Sequence, residues 1–412
     1  MKTKVKLLLS SLIMIILLTS CSKSTTENVS LTFWTTTAEG EQTEFIQKRV
    51  EAFQAEYPHI KVTFLPVDFG TASNLFKTAL LSNENVDVFR SDNSWVPELA
   101  NLGLLYPLDQ LATEEQKAGY VASAIKSVEY QGKLYGLPSV LETPALLYNK
   151  RMLKEAGYSA PPATMDEMLQ MAKILTTKNQ YGIYLNNDSY FALPYLWAFG
   201  GGTISDDRKI ELTSADSLNG LSFMVKLKQA GVTQNYPDFN DSYGRMMKDF
   251  TEGKSAMIIN GPWAVLDILA GKEFKDKNNL GIAQIPAGPK GQGSPIGGHS
   301  FVVSKYSEHP KEAYELIKYL TSEETQLLQS QTLKTLSTQI KVYENQELVN
   351  DPITQGFKRQ VDVAKARPLV PEGSQMFNDF TPNLTDILLG KQSVQEGVKK
   401  IENEWKLMLN LE

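Results

Sequence analysis

Cysteine is almost absent from this sequence, because Cys21 is the only one among 412 residues. A chain with a single cysteine forms no internal disulfide bond, so its stability has to come from the packing of its core. The glycine run at Gly200, Gly201 and Gly202 is not followed by the Gly-Lys-Ser of a phosphate-binding loop. This run therefore predicts a turn.

Several other features are missing, and each absence argues against a class of function. The sequence has no basic run, heptad array or internal repeat, and its net charge is -6, with an isoelectric point near 5.4. This charge argues against nucleic acid or anionic lipid as the main partner. There is also no hydrolase-like order of serine, histidine and aspartate, no cluster of metal ligands and no cofactor motif. We therefore expect no cofactor and no metal.

The N-terminus has the pattern of a secretory signal peptide. Three lysines within the first six residues precede an apolar run over residues 7–18. A transmembrane anchor is the alternative, but the run has about 12 residues and a spanning helix needs about 20. We therefore expect this segment to be removed on secretion.

A lipid anchor is expected directly after the apolar run. Residues 18–21 (LTSC) resemble a bacterial lipobox. This predicts a signal peptide over residues 1–20, a lipidated Cys21 and a polar tether over residues 21–28. The mature protein would then be held at the outer face of the bacterial cell membrane.

The rest of the chain, about 390 residues, is too long for one core and suggests two domains. Residues 29–34 alternate as in a strand, residues 45–53 have the apolar spacing of a helix, and residues 60–64 form the next strand. Thr164 and Glu167 predict a capping box at the start of another helix. Strands that alternate with helices predict an α/β fold with mostly parallel sheets, where ligands bind beyond the carboxyl ends of strands.

Short motifs occur in a fixed order along nearly the whole chain. They are residues 87–92 (DVFRSD), 132–138 (GKLYGLP), 148–150 (YNK), 260–263 (NGPW) and 297–299 (GGH). In this order they resemble the extracellular solute-binding proteins of ABC importers, specifically the branch that binds maltose and trehalose. The resemblance implies a type II periplasmic-binding-protein fold, with two lobes that close on a ligand by hinge bending.

The same resemblance implies the partners. The protein is expected to be a monomer and not an enzyme, and to deliver its ligand to two permease subunits driven by a cytoplasmic ATPase. Each lobe is expected to be discontinuous in sequence, with crossings near Leu141, Pro286 and Ser337. The first lobe then comprises residues 29–140 plus 287–337, and the second comprises residues 141–286 plus 338–412.

Ligand-binding residues are carried over from the family position by position. Acids are expected to accept hydrogen bonds from sugar hydroxyls, and an aromatic plane such as Trp263 to pack against the apolar face of a sugar ring. Charge-assisted hydrogen bonds of this kind contribute about 1.5–3 kcal/mol each. The mixture suits a neutral di- or oligosaccharide. The expected ligand set is Glu41, Asp92, Glu142, Asp188, Tyr190, Phe191, Trp263, Gly298, His299, Arg367 and Phe380.

Two positions depart from the family pattern. His299 stands where some trehalose binders have tryptophan, and Arg90 or Ser91 stands where maltose binders have tryptophan. The specificity for maltose or trehalose is therefore open, and sugars of the raffinose or sucrose type are an alternative. The other two histidines, His59 and His309, are expected at the surface.

Other aromatic residues have a structural interpretation. Trp34, Trp95 and Trp405 are expected to be packing residues. Trp197 and Phe199 precede the glycine run and either line the cleft or fill the second lobe.

Two other functions stay open at this point. A secreted glycosidase would use acids such as Glu41, Asp92 and Glu142, but nothing in the sequence sets up the required pair of carboxyl groups. A binder of a glycerol phosphoester needs several cationic groups, and only Arg367 and Arg90 are candidates beside the acids.

Overall fold

The structure is a computed structural model that describes residues 28–36, 41–205 and 207–411, without the side chain of Glu41. The predicted signal peptide, Cys21 and most of the predicted tether lie outside these residues. In the part of the chain that the structure describes, no helix is both long enough and apolar enough to cross a membrane.

Strands and helices alternate along much of the chain. The strands are β1 (Val29–Thr35), β2 (Ile60–Pro66), β3 (Val88–Asp92), β4 (Glu129–Tyr130), β5 (Lys133–Leu134), β6 (Gly136–Glu142), β7 (Ala145–Asn149), β8 (Tyr181–Ile183), β9 (Ser255–Asn260), β10 (Leu280–Ala283), β11 (Pro295–Val303) and β12 (Lys365–Ala366). Among the 3₁₀ helices, those that concern the site below are Asn93–Trp95, Ser189–Ala192 and Pro262–Ala264.

The α-helices alternate with these strands or follow them along the chain. They are α1 (Glu41–Glu56), α2 (Phe69–Leu81), α3 (Val96–Asn101), α4 (Glu114–Ala118), α5 (Ala122–Lys126), α6 (Lys150–Glu155), α7 (Met165–Leu175), α8 (Leu193–Ala198), α9 (Ala215–Gln229), α10 (Ser242–Thr251), α11 (Val265–Ala270), α12 (Pro310–Leu320), α13 (Glu323–Leu333), α14 (Gln346–Asn350), α15 (Pro352–Val361), α16 (Gly373–Leu388) and α17 (Val394–Leu409). The predicted capping box at Thr164 and Glu167 is confirmed at the start of α7.

The first sheet has the strand order β12-β11-β3-β1-β2, with β6 also paired to β11. Strand β1 is parallel to β2 and β3, whereas β11 is antiparallel to β3 and β6. On β1, Val29, Leu31 and Phe33 are buried and alternate with more exposed residues, which confirms the alternation predicted there.

The second sheet has the order β10-β7-β9-β8. Strand β7 is antiparallel to both β9 and β10, and only β8 and β9 are parallel. The expectation of mostly parallel sheets is therefore wrong for this sheet. Helices α8 to α10 join β8 to β9 as the crossover that parallel pairing requires, whereas β7 follows β6 directly from the other sheet.

Two separate hydrophobic cores surround these sheets and define two lobes. The first core takes its buried residues from 29–137 and 301–333, and the second takes them from 141–285 and 336–409, together with Ala124. Each lobe is therefore assembled from separate segments, and the chain passes between the cores at 137–141, 285–301 and 333–336. The lobe boundaries given above stay predictions.

The side-chain amide of Gln326, on α13, holds two of these passages together. Gln326 is 1% exposed, and its Oε1 accepts hydrogen bonds from Ser337 Oγ at 2.7 Å and from the Thr338 N–H at 2.6 Å. Its Nε2 donates to the Pro138 carbonyl at 3.2 Å and to Thr338 Oγ1 at 2.7 Å. These bonds fix β6 against the segment that returns to the second lobe.

We predict that Gln326→Leu lowers the free energy of unfolding by roughly 2–4 kcal/mol, because it leaves buried polar groups of Thr338 and Pro138 with fewer partners. Urea denaturation followed by circular dichroism measures the change. Gln331→Leu on the same helix is the control. Among the described residues, the Gln331 side chain forms a hydrogen bond only with Glu347, at the surface, and its loss should cost less than about 0.5 kcal/mol. Equal stability of the two variants would contradict this role of Gln326.

Candidate functional site

A cavity of about 1300 Å³ lies between the two lobes. It exceeds the roughly 300–1,000 Å³ of typical small-molecule pockets. Its first-lobe wall includes Thr36, Gln42, Asp68, Phe69, Arg90, Asp92 and Trp95. Its second-lobe wall includes Asn186, Asp188, Tyr190, Phe191, Asp241, Tyr243, Trp263 and Asp267. Glu142, Gly298, His299 and Arg367 also line it.

Strand pairing brings three of these polar residues together. Strand β11 lies between β3 and β6, so His299 is opposite Asp92 on one side and Val140 on the other, while Gly297 is opposite Glu142. Segments that are far apart in sequence thus place Asp92, Glu142 and His299 in one polar cluster at the cleft.

Gly298 shapes the backbone within this cluster. Its φ is +135°, and a Cβ at this position would lie 2.1 Å from the carbonyl oxygen of Val140. Any larger residue would have to push β11 away from β6. Glycine is therefore required here for the close pairing of these two strands.

Asp92 is held as a carboxylate. One of its oxygens accepts hydrogen bonds from the Ser94 N–H at 2.7 Å and from Ser94 Oγ at 2.5 Å, and the same oxygen lies 3.3 Å from Arg367 Nη2. Burial alone would raise the pKa of Asp92, but the charge of Arg367 and the two bonds from Ser94 outweigh burial and lower it. Asp92 is therefore a hydrogen-bond acceptor at neutral pH.

Unlike Asp92, Glu142 and His299 lie in an environment that favours their neutral forms. Burial raises the pKa of Glu142 to about 7, although Arg90 opposes the shift. Burial, assisted by Arg90, lowers the pKa of His299 to about 3, so its imidazole is neutral. His299 Nδ1 lies 3.6 Å from Glu142 Oε2, which is too long for a hydrogen bond, and neither ring nitrogen has a partner among the described residues.

Arg90 supplies a buried positive charge that acts on the cluster. It is 1% exposed, and its Nη1 donates to the carbonyl of Thr36 at 3.2 Å. Burial lowers the pKa of Arg90 to about 10, against the charges of Glu142 and Asp92 that raise it. The guanidinium thus stays charged at neutral pH and partly offsets the two carboxyl groups.

Aromatic rings form much of the second-lobe wall. Trp263 Nε1 donates to Tyr243 Oη at 3.0 Å, and the Trp263 and Tyr190 ring centroids are 6.5 Å apart. Phe191 stacks on Tyr243 with centroids 6.5 Å apart. The guanidinium of Arg367 lies 5.5 Å from the centroid of Tyr190. The wall therefore offers apolar ring faces beside polar groups.

Asp188 lies at the edge of this wall. Its carboxylate accepts a hydrogen bond from the Tyr190 N–H at 2.8 Å and so caps the 3₁₀ helix Ser189–Ala192. Burial raises the pKa of the Asp188 carboxyl group, although the hydrogen bond from the Tyr190 N–H opposes this increase. The residue remains open to the cleft and can accept a hydrogen bond from a ligand.

Two of the expected ligand residues are not placed in the cleft. Phe380 is 1% exposed and packs edge-on against Trp405 with centroids 6.3 Å apart. It is therefore a core residue, contrary to expectation, and Phe377, about one turn earlier on α16, lines the cleft instead. The side chain of Glu41 lies outside the described residues, and its neighbour Gln42 lines the cleft.

A profile of the family described as bacterial extracellular solute-binding protein matches residues 39–327, more than half of the chain. The chain belongs to this family. The family consists of solute-binding proteins and not of enzymes, so its members act by binding. The match begins just before α1 and ends within α13. It includes strands β2 to β11.

Two of the similar proteins are named for a sugar. The maltotriose-binding protein of Pyrococcus abyssi is 26% identical over 370 residues, which cover 87% of this chain and 78% of that protein. The galactooligosaccharide-binding protein of Bacillus subtilis is 23% identical over 390 residues, which cover 92% of this chain and 89% of that protein.

Solved structures confirm the two-lobed fold. The GacH receptor of Streptomyces glaucescens, solved unliganded and with acarbose, matches with a TM-score of 0.87 and 32% identity over 93% of this chain and 99% of that chain. Maltose-bound MalE3 of T. maritima matches with a TM-score of 0.82 and 25% identity over 92% of this chain and 100% of that chain.

Sequence patterns did not point to several residues of the solute-binding cleft. Asp267 follows Trp263 by four residues, and this spacing places both on one side of a helical segment. Asp241 caps the start of α10, and Tyr243 lies in its first turn. Only the hydrogen bond between Trp263 and Tyr243 shows that this end of α10 lies at the cleft. Trp95, expected to be a packing residue, packs on Phe69 and also lines the cleft.

We predict that Glu142 makes folding less favourable as the pH rises from about 4.5 to 7. Its folded-state pKa of about 7 lies above the ordinary 4.5, so the folded protein holds a proton that the unfolded chain has released. Glu142→Gln lacks this contribution. The free energy of unfolding of the variant, minus that of wild type, should therefore increase from pH 5 to pH 8, by at most about 3 kcal/mol.

Thermal unfolding of wild type and Glu142→Gln at pH 5 and pH 8 measures this effect. The comparison at pH 5 is the internal control, because Glu142 is then mostly protonated in the folded protein. The same stability difference at both pH values would contradict the raised pKa.

Proposed function

We propose that this protein is the substrate-binding subunit of a carbohydrate ABC importer, which captures a di- or oligosaccharide in the cleft between its lobes by hinge closure. The proposed ligand is a neutral sugar of the maltose, maltodextrin or trehalose type. Sugars of the raffinose or sucrose type are the alternative within the same function.

The composition of the cleft wall carries this proposal. Ring faces of Trp263, Tyr243 and Tyr190 lie beside the carboxylates of Asp92 and Asp188. A sugar ring has an apolar C–H face that packs on an aromatic plane, and hydroxyls at its rim that donate to carboxylates. The cavity of about 1300 Å³ has room for more than one such ring.

The cellular setting of the proposal follows from the sequence and the family. Cys21, after removal of residues 1–20, would carry the lipid that anchors the protein to the outer face of the bacterial cell membrane. More than one acyl chain is needed for stable anchoring. Two permease subunits and a cytoplasmic ATPase would be the partners of the closed, monomeric form.

A fluorescence titration tests the ligand class. Trp95 and Trp263 both line the cleft, so a bound sugar should change the intrinsic tryptophan emission of the mature protein. The panel contains maltose, trehalose, longer maltodextrins, sucrose, raffinose and lactose. A saturable change with at least one sugar is expected, and no change with any of them, in a folded sample, would overturn the proposal.

We predict that Trp263→Ala weakens sugar binding by about 1–3 kcal/mol, which is roughly a 5- to 150-fold increase in Kd, because a stacking surface is lost. Isothermal titration calorimetry with the sugar identified above measures the loss. Trp34→Ala is the control, because Trp34 packs against the first core and does not line the cavity. An equal loss in both variants, or none in Trp263→Ala, would contradict the stacking role.

A phosphoester ligand is less well supported. Both arginines of the cleft have partners, since Arg90 is buried against Thr36 and Arg367 is paired with Asp92. No lysine is among the described lining residues. A dianionic phosphate would therefore meet several carboxylates and no unpaired cation among those residues.

One observation favours glycoside hydrolysis as a second candidate function. Glu142, with a pKa raised to about 7 by burial, has the property of a general acid, and hydrolysis requires a second carboxyl group roughly 5–10 Å away. The family argues against it, because its members bind solutes. Incubation of the protein with maltodextrins, followed by chromatography, should give no products, and the appearance of shorter sugars would favour hydrolysis.

A further inference from the structure

The described cleft wall carries an excess of negative charge. Its acidic residues are Asp68, Asp92, Glu142, Asp188, Asp241 and Asp267, whereas its only described residues with a permanent positive charge are Arg90 and Arg367. The third basic side chain, His299, is neutral because burial lowers its pKa to about 3. Even with Glu142 protonated, the described lining residues therefore carry more negative than positive charge.

Most of this excess lies on the second-lobe wall, although Asp68 on the first-lobe wall also forms no ion pair with a described lysine or arginine. On the opposite side, Asp92 is paired with Arg367, and the charge of Arg90 acts on Glu142. By contrast, Asp188, Asp241 and Asp267 form no ion pair with a lysine or arginine of the described chain. Within the described chain, the carboxyl groups of Asp188 and Asp241 accept hydrogen bonds only from backbone N–H groups, at the starts of helical segments.

Aromatic faces lie among these three acids. Tyr243 is 39% exposed and bonds to Trp263, while Asp267 follows Trp263 by one helical turn. Within the described residues, no lysine or arginine lies over the ring of Trp263 or Tyr243, although Arg367 already lies over Tyr190. Ring faces of this kind attract an organic cation, especially where carboxylates are close.

Glu142 provides an independent indication from the other side of the cleft. It is only 8% exposed, it lines the cavity, and no donor of the described chain forms a hydrogen bond with its carboxyl group. Burial raises the pKa of the Tyr243 hydroxyl, and the charges of Asp267 and Glu142 add to the increase, so both carboxyl groups act on the same ring. A buried carboxyl group without a donor is a place for a ligand N–H or O–H.

A metal ion does not fit this arrangement. No three acidic, histidine or cysteine side chains of the described chain are close enough together to hold one. The acids are instead spread along an aromatic wall, which matches a cation carried on a larger organic molecule.

We propose that the cleft also takes oligosaccharides that carry a protonated amino group, and that it binds them more tightly than the same sugars with a hydroxyl in that place. The amino group lies against the second-lobe wall, beside Trp263, Tyr243 and Asp267. This inference rests on the proposed function, because the rest of the ligand is the sugar that the aromatic and polar groups of the cleft bind.

The test compares maltotriose with three of its derivatives, in each of which a different 6-hydroxyl is replaced by a primary amine, so that the three derivatives are amino isomers of one another. Isothermal titration calorimetry at pH 7 in 20 mM NaCl gives the Kd of each probe. At least one amino isomer should bind about ten-fold more tightly than maltotriose. Because the attraction is between charges, this ratio should fall toward one at high salt.

Variants locate the effect. Asp267→Asn should lower the ratio of the maltotriose Kd to the amino-isomer Kd toward one, since it removes a carboxylate beside Trp263 and Tyr243. The matched control is Asp166→Asn, which changes the net charge by the same amount on the exposed surface of α7, away from the cleft. A ratio that falls equally in both variants would mean that net charge alone is responsible, and would overturn the placement of the amino group.

The outcomes separate this inference from the proposed function. If maltotriose binds and no amino isomer binds more tightly, the inference is wrong and the proposed function stands. If the amino isomers bind and maltotriose does not, the inference is supported and the neutral ligand of the proposed function is wrong. If none of the four probes binds, both are overturned for this class of sugar.

Discussion

The pairing of β11 with β3 on one side and β6 on the other is the constraint on which the site depends. The three strands come from distant parts of the sequence, and their register sets His299 beside Asp92 and Gly297 beside Glu142. Gly298 permits the close approach of β11 to β6, because its φ of +135° and the nearby carbonyl of Val140 leave no room for a Cβ. A slip of one residue would turn these side chains away from the cleft.

The same strand pairing places the charged groups of the site next to the segments where the chain passes between the two cores. Glu142 ends β6 where the chain leaves the first core, and the Gln326 amide holds Pro138 on that strand against Thr338. A movement of one lobe relative to the other would therefore change the surroundings of a carboxyl group whose pKa burial raises to about 7. Neutral His299 and Glu142 both lack hydrogen-bond partners in the described chain, and a ligand with several hydroxyls would supply them.

Much of the fold was predictable from local patterns. The alternation on β1 and the capping box of α7 depend on neighbours in sequence, and both are confirmed. The motif order indicated the family without any long-range information. The direction of β7 was not predictable in this way, because strand pairing in the second sheet depends on where the chain enters from the first.

The site was predictable only in part, for a related reason. Residues within or directly after motif strands, such as Asp92, His299 and Trp263, line the cleft, and the motifs had indicated their position. Phe380 was misplaced because an aromatic position carried over from the family does not tell which face of α16 meets the core, and Phe377 lies on the cleft side. Tyr243 and Asp267 were missed, since only tertiary packing brings them beside Trp263.

Histidine resonances test the central claim, that the ligand binds between the lobes beside His299, most directly. The chain has three histidines, and only His299 lines the cavity, whereas His59 and His309 do not. The mature protein, prepared without a histidine tag and with labelled histidine, would be titrated with maltotriose by nuclear magnetic resonance. Shifts of the His299 signals alone, saturating with the binding curve, are predicted. Binding that leaves His299 unchanged, or that shifts His59 or His309 instead, would contradict the account.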